Sequence, residues 1–100
     1  MQNNDPLRPV PRELTKTVLN RMYSYLNRET VPVEINAIAQ KMRAGSATGF
    51  KRRFRTVRYE EFLILTQVLE WPRGYRKPDN YNELIEDLKA KLSKRGINLF

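Results

Sequence analysis

The 100-residue chain carries 19 Lys and Arg against 11 Asp and Glu, a formal charge of +8, with 40% hydrophobic and 30% charged residues; this suits one folded domain around a single core and is too apolar for a disordered chain. It has no Cys and no His, which excludes disulfides, thiolate zinc sites, cysteine nucleophiles and every histidine-dependent acid, base or metal ligand. The carboxylates are scattered without the spacing of a metal-dependent nuclease, so neither an enzyme nor a cofactor is expected; nor is a membrane partner, because no run approaches the roughly 18 apolar residues of a span and residues 1–12 lack the apolar core of a signal peptide.

Residues 1–11, MQNNDPLRPVP, hold three prolines and no periodicity, which predicts an extended N-terminal arm. Pro11 suits the first turn of a helix, and Leu14, Val18, Met22 and Leu26, widened by Leu19 and Tyr25, form the buried face of a predicted helix over 12–28. Thr30 and Pro32 signal the next start, and Val31, Ile35, Ile38, Ala39 and Met42 make the stripe of a second helix over about 32–43. Gly45 can end that helix and Ser46 can cap another. A third helix over about 47–55 then completes a helix-turn-helix at about 34–55. Phe50 and Phe54 fall on its inner face, and Thr48, Lys51, Arg52 and Arg55 on its outer face with Arg53 at the margin. Gly49 costs roughly 1 kcal/mol inside a helix, so either the backbone approaches a partner closely there or the helix begins nearer Phe50.

Thr56 is a fair cap for a fourth helix, with Glu60 and Glu61 in a first turn that favours negative charge. Phe62, Leu63, Leu65, Val68, Leu69 and Trp71 make this the most apolar segment, the expected spine of the core. Pro72 and Gly74 stop it, and the following surface loop holds a smaller basic cluster of Arg73, Arg76 and Lys77. Asn80 and Glu83 start a fifth helix over 81–95 in the manner of a capping box; Leu84, Leu88 and Leu92 form its stripe, widened by Ile85, and Gly96 ends it. The tail 97–100 can fold back on the core or, with the narrow leucine seam, seal an oligomer; the interface candidates are Leu84, Leu88, Leu92, Leu99 and Phe100. The expected fold is all-α, a bundle of about five helices with the helical domain at 12–96.

Lys41, Arg43, Lys51, Arg52, Arg53, Arg55 and Arg58 give residues 41–58 a charge of +7 with no acid, while the other 82 residues sum to +1. Such concentration raises self-repulsion, and an anionic partner is the usual reason to tolerate it. Five of the seven are arginine, which pairs bidentately with guanine or phosphate. In double-stranded DNA a helix over 47–55 would enter the major groove, with Thr48, Lys51 and Arg52 approaching base edges and Lys41, Arg43, Ser46, Arg53, Arg55 and Arg58 contacting phosphates.

The run AIAQKMRAGSATGF at 37–50, the following Lys51-Arg52 and the closing Val68-Leu69-Glu70-Trp71 resemble the DNA-binding core of phage CII-type transcriptional activators, relatives of the lambdoid regulators, over about 35 residues. The resemblance implies a helical regulator of phage type; with neither a span nor a signal peptide in the sequence, the expected location is the cytoplasm of a bacterial host cell. The resemblance also implies promoter DNA bound through a helix-turn-helix, assembly as a dimer or tetramer through the C-terminal helix, and a contact with host RNA polymerase. Two other readings fit the same charge. An arginine-rich helix can enter structured RNA or bind single strands, with Tyr75, Tyr81 and Phe100 stacking on bases. A small basic protein can also dock on an acidic surface of a host enzyme.

Overall fold

Thr15 is extended and its Oγ1 accepts a hydrogen bond from the Val18 amide at 3.1 Å, satisfying one of the free donors at a helix start. It opens α1 (Lys16–Met22) in the computed structural model, which describes residues 7–43 and 54–99. The predicted helix over 12–28 is thus shorter at both ends. Before it, Leu14 is buried in extended backbone, its carbonyl accepting from the Val57 amide at 2.8 Å. After it, Tyr23-Ser24-Tyr25-Leu26 turns, closed by the Leu26 amide donating to the Tyr23 carbonyl at 2.9 Å. Tyrosine and serine are poor helix formers, and a tertiary bond takes over: the buried Tyr23 hydroxyl donates to the Glu70 carbonyl at 2.7 Å.

Helix α2 (Thr30–Met42) begins two residues before the expected start, with Pro32 in its first turn. Its stripe of Val31, Ile35, Ile38, Ala39 and Met42 is buried, and α2 packs on both α1 and α3. Helix α3 (Tyr59–Leu69) has six consecutive buried residues, Glu61 to Thr66, because the rest of the protein covers every side of its middle, while Tyr59 at its start is exposed. Each large aliphatic side chain so buried contributes about 1.5–3 kcal/mol before conformational entropy is subtracted. Helix α3 ends at Glu70, not at Pro72: Glu70 has φ 74° and ψ 168°, a region that strains any residue but glycine.

Helix α4 (Tyr81–Lys94) packs on α3. Its end is a Schellman motif: Gly96 takes φ 73°, its amide donates to the Ser93 carbonyl at 3.1 Å, and the Ile97 amide donates to the Leu92 carbonyl at 2.9 Å. Trp71 meets the Phe62 and Tyr81 rings edge-on, 5.5 Å from each. A short polar relay ties α4 to α3, with the Gln67 amide donating to the Tyr81 hydroxyl at 2.8 Å and the Tyr81 and Thr66 hydroxyls bonded at 2.7 Å. Among the described residues the chain is all-helical, with four helices; extended segments meet only in isolated pairings, Arg8 with Tyr75 and Thr15 with Thr56. No helix there is long and apolar enough to cross a membrane.

Candidate nucleic-acid interface

Arg43 caps the C-terminal end of α2, and its guanidinium faces into the protein. Its Nε donates to Glu61 Oε2 at 2.8 Å and its Nη2 to Glu61 Oε1 at 2.7 Å, a bidentate pair; Nη2 also reaches the Thr56 carbonyl at 3.0 Å. The Glu61 side chain is 0% exposed and that of Arg43 14%. Glu61 Oε1 accepts in addition from the Arg58 amide at 2.9 Å, so one carboxylate both caps α3 and holds the end of α2. Arg43 is therefore withdrawn from the phosphate-contact set: its charge is matched within the chain.

Phe54 marks the return of the basic segment to the core. Its ring lies 3.9 Å from Lys16 Nζ and 4.3 Å from Arg43 Cζ, and it packs against the buried cluster as the inner face of the third predicted helix required. The backbone around it differs from that prediction. Phe54 and Arg55 are not helical; the Lys16 amide donates to the Arg55 carbonyl at 3.2 Å, and Thr56 pairs antiparallel with Thr15. The pairing with 14–16 holds 55–57 beside Leu14 and Lys16 in a two-sided backbone contact, with the Val57 amide donating to the Leu14 carbonyl at 2.8 Å. Residues 47–53 of the helix predicted over about 47–55, and with them Ser46, Thr48, Lys51, Arg52 and Arg53, lie outside the described residues.

Arg43 and Phe54 thus bring the two flanks of residues 44–53 into contact, on a base fixed by the Glu61 ion pair and the 15–56 pairing. Around that base, Arg55 and Arg58 are exposed and face no carboxylate within ion-pair distance among the described residues. Lys41 is also exposed, with Nζ 3.5 Å from the Asn98 carbonyl. No group of three or more carboxylates among the described residues is placed to hold a metal ion.

The leucine seam sits differently from its prediction. Leu88 and Leu92 are buried in the protein's own core, Leu84 and Leu99 are partly buried against it, and Ile97 folds back beside them; Phe100 lies outside the described residues. Leu88 and Leu92 are thus used within this chain's own core and are not free to seal a second copy. A second basic grouping was missed by sequence reasoning. Arg8, Arg21 and Arg73 line one cleft with Tyr25 and Tyr75, brought together from three distant stretches. Arg76 and Lys77 turn elsewhere, Arg76 to the Leu7 carbonyl at 3.4 Å and Lys77 over the Tyr81 ring at 4.3 Å.

Compared with protein-family models, curated proteins and solved structures, the chain gives no match.

Proposed function

We propose that this chain is a sequence-specific, duplex-DNA-binding transcriptional regulator of phage type, acting through residues 41–58. The observation that carries the reading is the charge: six basic residues of this segment remain after Arg43 is paired with Glu61, and the segment itself has no acid. A rigid base supports it. DNA binding is favoured when the backbone that carries the cations is held in place before the ligand arrives, since less chain freedom is then lost, and Arg55 and Arg58 extend from anchored backbone.

In this reading α2 is the first helix of a helix-turn-helix and a fifth, recognition helix falls within 47–53. Thr48, Lys51 and Arg52 read base edges, and Lys41, Ser46, Arg53, Arg55 and Arg58 hold phosphates. Assembly as a homo-oligomer and a contact with host RNA polymerase belong to the same proposal. With Leu88 and Leu92 buried, the assembly surface must lie elsewhere than on the leucine seam. The resemblance to CII-type activators supports the reading through the residues quoted above alone.

Selection of bound fragments from random duplex DNA tests it. Enrichment of one sequence motif is expected, paired at about one DNA turn if the protein binds as a symmetric dimer. Recovery of no motif would overturn sequence-specific reading. Retention of bound RNA against excess duplex DNA at matched ionic strength would move the assignment to RNA.

A further inference from the structure

A cleft lined by three arginines lies between the end of α1 and the loop after α3. Arg21 stands exposed in the last turn of α1, Arg73 on the loop and Arg8 on the N-terminal arm; Met22, Ser24, Tyr25, Gly74 and Tyr75 complete the lining, which includes no carboxylate. Among the described residues none of the three arginines has an acidic partner within ion-pair distance.

Their backbones are fixed. The Tyr75 amide donates to the Pro72 carbonyl at 3.4 Å, and Gly74 between them has φ 84°, as the third position of a type II turn requires. The arm is pinned beside this turn: the Arg8 amide donates to the Gly74 carbonyl at 2.9 Å and the Arg76 amide to the Arg8 carbonyl at 2.8 Å. Tyr25 orients Arg73, with its ring 4.5 Å below the guanidinium and its hydroxyl accepting from the Arg73 amide at 3.2 Å. That acceptance leaves the phenolic proton available to donate. Three guanidiniums supply fifteen N–H donors in a concave setting of one sign, which focuses potential onto an anion, and arginine matches the paired oxygens of a phosphate.

We infer that this cleft is a second, separate site that binds phosphate oxyanions, presented either by a free nucleotide or by a polynucleotide backbone. It goes beyond the DNA reading and does not depend on it, because none of its residues belongs to 41–58.

The test is amide NMR of the full chain titrated separately with a nucleoside triphosphate in the absence of metal and with a 20-base-pair duplex. Shifts at Arg8, Arg21, Tyr25, Arg73 and Tyr75 with the triphosphate support the cleft and assign it to a discrete phosphate; shifts there with duplex alone support it and assign it to the backbone. Arg21→Gln and Arg73→Gln are each expected to weaken the binding about tenfold, as loss of one charge-assisted contact does, whereas Arg28→Gln, which removes the same charge outside the cleft, leaves it within about twofold. Silence of these amides toward both probes overturns the proposal, as does equal weakening by Arg28→Gln. Duplex binding that shifts only Arg55 and Arg58 would sink the cleft and leave the DNA reading intact; triphosphate binding at the cleft with no duplex binding would do the reverse.

Discussion

Replacing Arg43 by methionine removes the one cation that, among the described residues, faces the Glu61 carboxylate, a group with no exposed surface. Among the described residues, Glu61 would keep only the Arg58 amide, on Oε1, and Oε2 would lose its donor. Breaking a buried pair in this direction costs about 3–5 kcal/mol, a large share of the ~5–15 kcal/mol that holds a domain together. The reverse change is milder. In Glu61→Leu the guanidinium keeps the Thr56 carbonyl and the Phe54 ring and can turn its partly exposed side to water, so the expected cost is about 1–3 kcal/mol, including the lost cap on α3. The double variant Arg43→Met/Glu61→Leu replaces two charges with apolar volume and should fall within about 2 kcal/mol of the parent, well above the stability of Arg43→Met alone. Urea unfolding followed through Trp71, the chain's one tryptophan, reads this as midpoints: at a slope near ~2 kcal/mol/M, Arg43→Met moves the midpoint down by about 1.5–2.5 M. Equal single-variant losses that add in the double variant would refute the reasoning, since additivity means the two groups do not interact.

Three further outcomes follow from the same geometry. Glu70→Gly should raise stability by about 1 kcal/mol in thermal unfolding, because Glu70 occupies a left-handed conformation that strains a side chain; no gain would mean that the strain is compensated. Burial pushes the Tyr23 phenol above the usual tyrosine range. A folded-state value above the unfolded one gives stability that is complete below about pH 10 and declines above it, so Tyr23→Phe should flatten the alkaline limb of the stability profile while losing about 1 kcal/mol at neutral pH through the unpaired Glu70 carbonyl. An unchanged alkaline limb would contradict this. Leu92→Ala should cost about 2–5 kcal/mol at every protein concentration; a loss that shrinks on dilution would return Leu92 to an interface between copies.

The α2 stripe was legible because a regular helix converts burial directly into 3.6-residue periodicity, and Val31 to Met42 obey it. The same signal misled around α1. Leu14, Tyr25 and Leu26 all face the core, but from extended or turning backbone; apolar spacing registers which side chains are buried and not the conformation that buries them. Thr15, the actual cap, was visible as a residue type but was overshadowed by Pro11. Glu61 was read as a charge favoured by the helix dipole. Its position one turn before Leu65, on the inward side of the most apolar helix, was the available sign that it is buried and needs a cation. Which cation could not be read, since Arg43 lies 18 residues away and the pairing exists only once α2 packs on α3. The Arg8–Arg21–Arg73 cleft was illegible for the same reason: Arg73 stood out within a loop cluster, and only the arm's pairing with Gly74 and Arg76 brings Arg8 to it.

Duplex-DNA affinity measured against salt tests the central claim most directly. The four cations assigned to phosphates, Lys41, Arg53, Arg55 and Arg58, give at about −0.9 each a slope of log affinity on log salt of about −3.6, with about −5.4 as the limit for all six cations of the segment. Arg55→Gln should reduce its magnitude by about 1, while Arg43→Met/Glu61→Leu, in which the lost cation was already matched inside the protein, should leave it unchanged. A flat response, or a loss of slope in the Arg43 variant equal to that in Arg55→Gln, would contradict the account.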